Sequence, residues 1–389
     1  MPNENSHYSS FFKYARNRKA EEIMSIYQQL GLQAVINASG KMTALGASAV
    51  HPEVARAISE ASMDYVDMQE LLTAVGKRIA QATGAEGGCP TLGASAGIAI
   101  ATAAIIAGSN LAKLEKIPFL QGVPNEVIIQ KGHSVHFGGA VPQMMALGGA
   151  QVIEVGHANL VEAEHIEGAI SEKTAALFYI KSHHAVQKGM QSLQSMLEIG
   201  RRHQLPVIVD AAAEEDLHKY VQMGVDLVIY SGGKAIEGPT SGFICGRQHL
   251  IDACHAQYKG VGRAMKVGKE ALIGLVVALE RYANKQDTGK EQKERMQSFL
   301  EQIKDLPGVT GRIVQDEAGR EIYRAQLTID PAIAGMTAIE LAQKLKEGNP
   351  SIYTRDHYAN VGIINIDPRP LLPQQENQIA LRLREIWQA

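Results

Sequence analysis

The chain has 389 residues, 45% hydrophobic and 20% charged, the composition of an ordinary folded protein, which excludes disordered and fibrous classes. Single cores stop growing by about 250 to 300 residues, so at least two domains are expected. With 38 basic and 41 acidic residues the net charge is -3, which offers no overall electrostatic footprint for nucleic acid or another long polyanion.

The opening stretch "MPNENSHYSSFFKYARNRKAEEIM" has no apolar h-region, and no later run reaches 18 apolar residues. A cytoplasmic protein without a membrane partner is therefore expected. An N-terminal arm (1–50), helical to about Leu30, leads through the small-residue loop "QAVINASGKMTALGAS" to a helix opening at "HPEVARAISEAS", where Pro52 suits a first helical turn. From Thr91 onward strand and helix patterns alternate. Strands are predicted at 126–130, 150–155, 175–180, 205–210, 225–231 and 242–246, with helical periods such as "SLQSMLEIGRRHQ" between most of them. Such alternation predicts an α/β fold with a mainly parallel sheet covered on both faces, here a large domain over 51–284. The 37 glycines and only 5% aromatic residues fit many tight strand-to-helix turns.

The last third changes character. "EALIGLVVALERYANKQ" reads as a long helix that bridges domains, and "EQKERMQSFLEQIKDLPGV" as an amphipathic one. "IYRAQLTID", "AIELAQKLKEG" and "VGIINIDP" complete a smaller α+β domain over 285–389. Cys89, Cys245 and Cys254 have neither metal-ligand nor CxxC spacing, so reduced thiols and no metal site are expected.

Chemistry gathers at two strand ends. "VIVDAAAE" finishes an apolar run on Asp210, and "LVIYSGGKAIEGPTSGFICG" places Lys234 in a turn after the next strand. In an open parallel sheet ligands sit beyond the carboxyl ends of strands, so both side chains can face one ligand. A plain Asp–Lys ion pair is the commoner arrangement for a carboxylate and a lysine taken at random. "TLGASAGIAIATAAIIAG" adds a small-residue turn feeding a helix, a type of N-terminus that binds phosphate, although such runs also serve close packing. Neither a Walker pattern nor a clean GxGxxG occurs there. A phosphate site, a carboxylate and a lysine are together what pyridoxal 5'-phosphate (PLP) requires.

An ordered set of segments carries a resemblance: "VINASGKMTALGAS", "KGHSVHFGGAVPQMMALGGAQVIEVG", "GRRHQLPVIVDAAAE", "SGGKAIEGPTSGFICGR", "GRAMKVGKEALIGLVVALERY" and "YTRDHYANVGIINIDPRPL". They resemble the fold-type I PLP enzymes of the selenocysteine synthase (L-seryl-tRNA selenium transferase)-like branch, and are most similar to its D-glucosaminate-6-phosphate ammonia-lyases. The resemblance implies a seven-stranded, mainly parallel sheet in the large domain and a homodimer or higher homo-oligomer. It implies that Lys234 bonds the cofactor aldehyde and later moves protons, and that Asp210 keeps the pyridine nitrogen protonated. Ser231 and the Gly93, Ala94 and Ser95 turn would hold the phosphate, Ala212 would lie under the ring, and His133, or less well His136, would stack on it. Arg355 is implied as the grip on the substrate carboxylate, with Arg369 as competitor. Arg263, in a basic cluster with Lys259, Lys266 and Lys269, is the candidate for a distal phosphate.

Only about thirty residues precede "VINASG" and the net charge is acidic, so a small molecule is expected rather than a tRNA. "SHHAVQKGM" and "VDAAAEEDL" resemble the lyases, which implies α,β-elimination on a 2-amino-2-deoxy sugar acid phosphate. The product would be 2-keto-3-deoxy-6-phosphogluconate with ammonia. His183, His184 and His357 are candidate acids for the departing hydroxyl. A PLP β-lyase or transferase acting on a small sulfur, selenium or hydroxy amino acid is the alternative, and a non-catalytic binding partner the third reading.

Overall fold

Runs of four to seven residues build the central sheet of the protein, and all but the edge run Gln151–Val155 are buried along their whole length or nearly so. The computed structural model describes residues 25–136, 138–182, 185–284, 289–316 and 321–388. In chain order the strands are β1 (Val35–Ala38), β2 (Gly87–Thr91), β3 (Glu126–Gln130), β4 (Gln151–Val155), β5 (Thr174–Ile180), β6 (Val207–Asp210), β7 (Leu227–Ser231), β8 (Gly242–Gly246), β9 (Val309–Gln315), β10 (Tyr323–Ile329), β11 (Ser351–Thr354) and β12 (Ile363–Ile366). Helices of seven or more residues are α1 (Pro52–Ser62), α2 (Met68–Thr83), α3 (Ala94–Ala107), α4 (Val141–Leu147), α5 (Leu193–His203), α6 (Gln248–Ala256), α7 (Lys269–Ala283), α8 (Gly289–Glu301), α9 (Ala338–Lys346) and α10 (Gln375–Gln388).

The chain divides into two units. The larger comprises residues 40–292 and 315–323; the smaller takes the described residues up to Ser39, 293–314 and those from Arg324 on. In the larger unit seven strands form one sheet in the order β2-β8-β7-β6-β5-β3-β4. Every pairing is parallel except those of β8, which runs against both β2 and β7. The α/β class and the mainly parallel seven-stranded sheet are thus as the sequence implies.

Helix α3 explains how one face of this sheet is covered. Its sequence "ASAGIAIATAAIIA" is apolar all round, and nearly every residue is buried, as expected of a helix enclosed on all sides. It packs against α4, α6 and the sheet. Contact with the sheet is close because Gly97 carries no side chain: a Cβ there would lie 2.8 Å from Ile229 Cγ2. On the other face, α7 buries Leu272, Leu275, Ala278 and Leu279 and packs on α1 and α2. That apolar stripe keeps α7 within the larger unit, where the sequence reading expected a bridge between domains. The expected boundary at Lys285 lies outside the described residues.

In the smaller unit β1 pairs in parallel with β11, Val35 opposite Ser351, and β10 lies between β12 and β9. Residues 35–38, expected in an N-terminal arm, form a strand of this unit. Alternate residues of β1 decide this, because Ile36 and Ala38 enter the smaller core beside Leu327, Ile352 and Ile364. A charged knot is buried there as well. Asp367, fully buried, accepts from Arg324 Nε at 2.9 Å and from Arg369 Nη2 at 2.8 Å. Burial alone would raise the Asp367 carboxyl, but Arg369 and Arg324 hold it well below the usual carboxylate range.

A depressed carboxyl pKa contributes stability that is complete above its unfolded value, about 3.9, and is lost as pH falls below that. Asp367→Ala, which takes a buried carboxylate partner from the buried Arg324 and the partly buried Arg369, is expected to cost about 3 kcal/mol. Thermal unfolding from pH 7 down to pH 3 checks both statements: the variant should start lower and lose less on acidification than the wild type.

Among the described residues no helix is long and apolar enough to cross a membrane. The three cysteines are buried and free.

Candidate active site

The register of the sheet brings separate segments to one edge. Ile180, at the end of β5, lies opposite Asp210, at the end of β6, and Asp210 lies opposite Ile229 on β7. Two residues further, Ser231 lies opposite Gly242. Because β8 is reversed, Gly242 is its first residue, and its other neighbour is Thr91, the last of β2. Four strand ends and the start of a fifth therefore meet where ligands of open α/β sheets bind.

A cavity of about 380 Å³ opens at this edge, lined by Asp210, Ala212, Ser231, Lys234 and the Gly93–Ser95 turn. Clefts of comparable size occur elsewhere. One of about 470 Å³ sits at the amino ends of β6 and β7, around Asp226 and Arg247, but those two already pair at 2.6 Å. Chemistry rather than size singles out the cavity at the carboxyl edge.

Three features define its walls. First, Asp210 is 4% exposed, and its Oδ1 accepts from the Ala212 N–H at 3.0 Å. Burial raises its carboxyl pKa, and the Lys234 charge and the Ala212 bond only partly offset this. Asp210 and Lys234 sense each other across the cavity without closing to an ion pair. Second, α3 begins at the cavity. The Gly97 N–H makes the first helical bond, to Gly93, which leaves the amides of Ala94, Ser95 and Ala96 unbonded within the helix. A Cβ on Gly93 would meet nothing within 4 Å, since the turn faces open space. Third, the loop carrying Lys234 is laced at its base. Gly232 N–H donates to Ser241 O at 2.8 Å, Gly238 N–H donates to Gly232 O at 2.7 Å, and Ser48 Oγ donates to Gly233 O at 2.8 Å. Lys41 pairs with Glu237 in the same loop at 2.6 Å.

Other candidates lie elsewhere. His133 is fully buried and does not line the cavity. Its ring meets Tyr179 edge-on at 4.6 Å, its Nδ1 accepts from the Ile180 N–H at 3.2 Å, and burial pushes it down to about 4. That is the setting of a neutral core histidine, with the ring faces enclosed. His136 is exposed beside Phe137, which is outside the described residues, as are His183 and His184. Arg263 is exposed in the short turn Val261–Met265 and is not part of the cavity lining. Its neighbour Lys269 donates to the Ala61 and Ser62 carbonyls, capping the end of α1. Arg355 and Arg369 belong to the smaller unit. The Arg355 backbone exchanges two 2.9 Å bonds with Asn365, Arg369 is engaged by Asp367, and His357 is exposed.

Sequence reasoning assigned no role to Thr43, Ala47, Leu92, Met144, Thr240 or Ser241, which also line the cavity. For Thr43, Ala47, Thr240 and Ser241 the signal was the density of small residues in "GKMTALGAS" and "GPTSG"; Leu92 and Met144 carried none.

The family model described as L-seryl-tRNA selenium transferase matches residues 35–307. The chain belongs to this family. It is 45% identical to a D-glucosaminate-6-phosphate ammonia lyase of Salmonella typhimurium, over 93% of this chain and 98% of that one. It is 44% identical to a 5'-C-glycyluridine monooxygenase-decarboxylase of a Streptomyces species, over 97% and 95%. A solved D-glucosaminate-6-phosphate ammonia-lyase structure superposes with a TM-score of 0.89 at 45% identity, covering 94% of this chain and 98% of that one. An aspartate aminotransferase from Thermus thermophilus, 13% identical, superposes with a TM-score of 0.53 over 92% and 93% of the chains. The family member described here thus has the fold of the fold-type I PLP enzymes.

Proposed function

We propose that the cavity binds PLP and that the chain is an ammonia-lyase acting on a 2-amino-2-deoxy sugar acid phosphate, D-glucosaminate 6-phosphate in the first instance. The observation that carries this reading is a buried carboxylate and an amine facing one cavity without pairing, with the free amides of a helix N-terminus on its wall. Each feature is unfavourable alone and favourable around PLP. Burial drives Asp210 toward protonation, and a protonated ring nitrogen beside it would restore its charge. The Ala94, Ser95 and Ala96 amides and the Ser95 and Ser231 hydroxyls suit a phosphate group, and Lys234 is the amine for the aldehyde carbon.

When bound, PLP supplies an electron sink for negative charge at the substrate carbon that bears the amine. The chain supplies the rest. Asp210 would orient the ring and keep its nitrogen protonated; Lys234 Nζ would take the proton from that carbon, where it is not restored, because the hydroxyl on the neighbouring carbon then leaves, protonated, as water; Ala212 leaves room for the ring. For the substrate carboxylate the family resemblance implies Arg355, with Arg369, which also serves Asp367, as its competitor. Arg263 is assigned to the distal phosphate. Cytoplasmic action as a homodimer or larger assembly belongs to the same reading.

The phosphate cradle has its own test. A Cβ on Gly242 would come within 2.7 Å of the Gly93 carbonyl carbon and 3.0 Å of the Ala94 nitrogen, so Gly242→Ala must displace the turn. Its affinity for PLP is expected to fall about tenfold, equivalent to about 1.4 kcal/mol, measured by equilibrium titration. Unchanged affinity would remove the turn from the cofactor site.

The Streptomyces relative supports a second reading, with a 5'-C-glycyl nucleoside as substrate and oxygen as co-substrate. Neither relative at 44 to 45% identity is named as a sulfur- or selenium-handling enzyme. Purified protein with PLP, offered phosphorylated and free amino sugar acids and a 5'-C-glycyl nucleoside, separates the two. Ammonia and 2-keto acid without oxygen uptake support the lyase. Oxygen uptake with carbon dioxide from the nucleoside, and no ammonia from any sugar acid, overturns it.

A further inference from the structure

The turn that follows Asp210 is gripped by tyrosine hydroxyls from three separate elements. Tyr220, in the short helix Lys219–Gln222, donates to Glu214 Oε2 at 2.6 Å. Tyr230 on β7 donates to the Asp216 carbonyl at 3.0 Å, and Tyr282 on α7 donates to the Glu215 carbonyl at 2.6 Å. Tyr220 and Tyr230 are almost fully buried, where a phenol needs a partner. Burial first, then Glu214, pushes the Tyr220 phenol far up, and Tyr230 shifts the same way. Both stay protonated and remain donors.

The same turn sets the orientation of Asp210. "DAAAEED" has three alanines directly after the aspartate, none with a polar side-chain atom to fix the backbone. Their positions are set from outside by two bonds to β7, Ala211 N–H to Ile229 O at 2.9 Å and Ser231 N–H to Ala212 O at 3.3 Å, and within the turn by one, Glu214 N–H to Ala211 O at 3.0 Å. Among the described residues, the Ala212 N–H makes the one hydrogen bond to the Asp210 carboxylate. Wherever the turn goes, that N–H goes, and the carboxylate rotates with it. Of the three hydroxyls, Tyr220 alone grips a side chain of the turn, through a charge-assisted bond that is among the stronger kinds.

We propose that Tyr220 and Glu214 are positioning residues that, through the Ala212 N–H, fix the orientation of the Asp210 carboxylate toward the cavity and so set how firmly the cofactor ring nitrogen holds its proton. The proposal rests on the reading of Asp210 as the partner of that nitrogen. Neither Tyr220 nor Glu214 lines the cavity, so both act at one remove.

Protein loaded with nitrogen-15-labelled PLP tests this, because the ring-nitrogen NMR signal reports its protonation directly. Tyr220→Phe keeps the buried ring and removes the hydroxyl; Glu214→Ala removes the acceptor; Glu214→Gln still accepts from Tyr220. In Tyr220→Phe and Glu214→Ala the ring nitrogen is expected to lose its proton at a pH about 0.5 to 1 unit lower than in the wild type. PLP affinity should fall about threefold to tenfold, and Glu214→Gln should recover most of both changes. If Tyr220→Phe does not fold, Glu214→Ala, at a half-buried position, carries the test. Asp210→Asn is the control. Should it shift the nitrogen signal while both other variants match the wild type, the positioning role is overturned and the Asp210 reading stands. Should Asp210→Asn itself leave the signal unchanged, the reading beneath the proposal falls with it.

Discussion

Lys234→Ala is expected to abolish turnover, with a loss of at least about 10² to 10⁴, the contribution of a positioned proton carrier alone. Its PLP should become removable by dialysis, because the contacts proposed for Asp210, Ser231 and the α3 amides are noncovalent. Lys234→Arg discriminates further: a guanidinium keeps the positive charge facing Asp210 but neither bonds an aldehyde nor gives up a proton near neutrality. If charge were all that this position supplied, the arginine variant would retain activity; the expectation is that it matches the alanine variant. Ammonia release and PLP retention after dialysis are the measurements, and full activity in either variant would remove Lys234 from the reaction. The lacing of its loop by Gly232, Gly238, Ser241 and Ser48 makes a general folding failure an unattractive account of such a loss.

Asp210→Asn is expected to reduce turnover by about 10² to 10³, the scale of losing one preorganised electrostatic partner. Its effect on stability should have the opposite sign. The folded-state pKa of Asp210 is raised, so the folded protein without cofactor binds more protons than the unfolded chain, and its stability falls as pH rises through that folded pKa. Above its unfolded pKa, Asp210 therefore weighs against the cofactor-free fold, and the asparagine, which never ionises, relieves it. Cofactor-free Asp210→Asn should melt higher than cofactor-free wild type, whereas PLP should stabilise the wild type more than the variant. Calorimetry of the four samples decides the matter. A variant that melts lower than wild type without cofactor would show that Asp210 is structural and not held in readiness for a cation.

Much of this was legible because strand ends write themselves plainly. "VIVD" and "LVIYS" are apolar runs that stop on a polar residue, and β6 and β7 end on those residues. β2 was not legible. "GGCPT" has a proline at its fourth position, which argues against a central strand. The structure accommodates Pro90 because β2 is an edge strand with β8 as its one neighbour, so a missing N–H on the outer side breaks no ladder. Nor did "GFICG" reveal that β8 is reversed, since a buried antiparallel strand and a buried parallel one carry the same apolar run. His133 reads the same in sequence whether its ring faces a cofactor or a core; burial against Tyr179 makes the distinction. The tyrosine grip on 214–216 draws on positions 220, 230 and 282, a spacing without a local pattern.

The pairing of β1 with β11 bears on how the protein is made. A ribosome delivers Ile36 and Ala38 early, but the strand they pair with, residues 351–354, is delivered only after the whole of the larger unit. Until then two apolar side chains, later shared with the smaller core, have no lasting partner. The cavity at the carboxyl edge, assembled wholly from residues 43–241, needs no such delay. The parts proposed to hold the cofactor can thus be in place on the nascent chain while its first strand is still waiting for its mate.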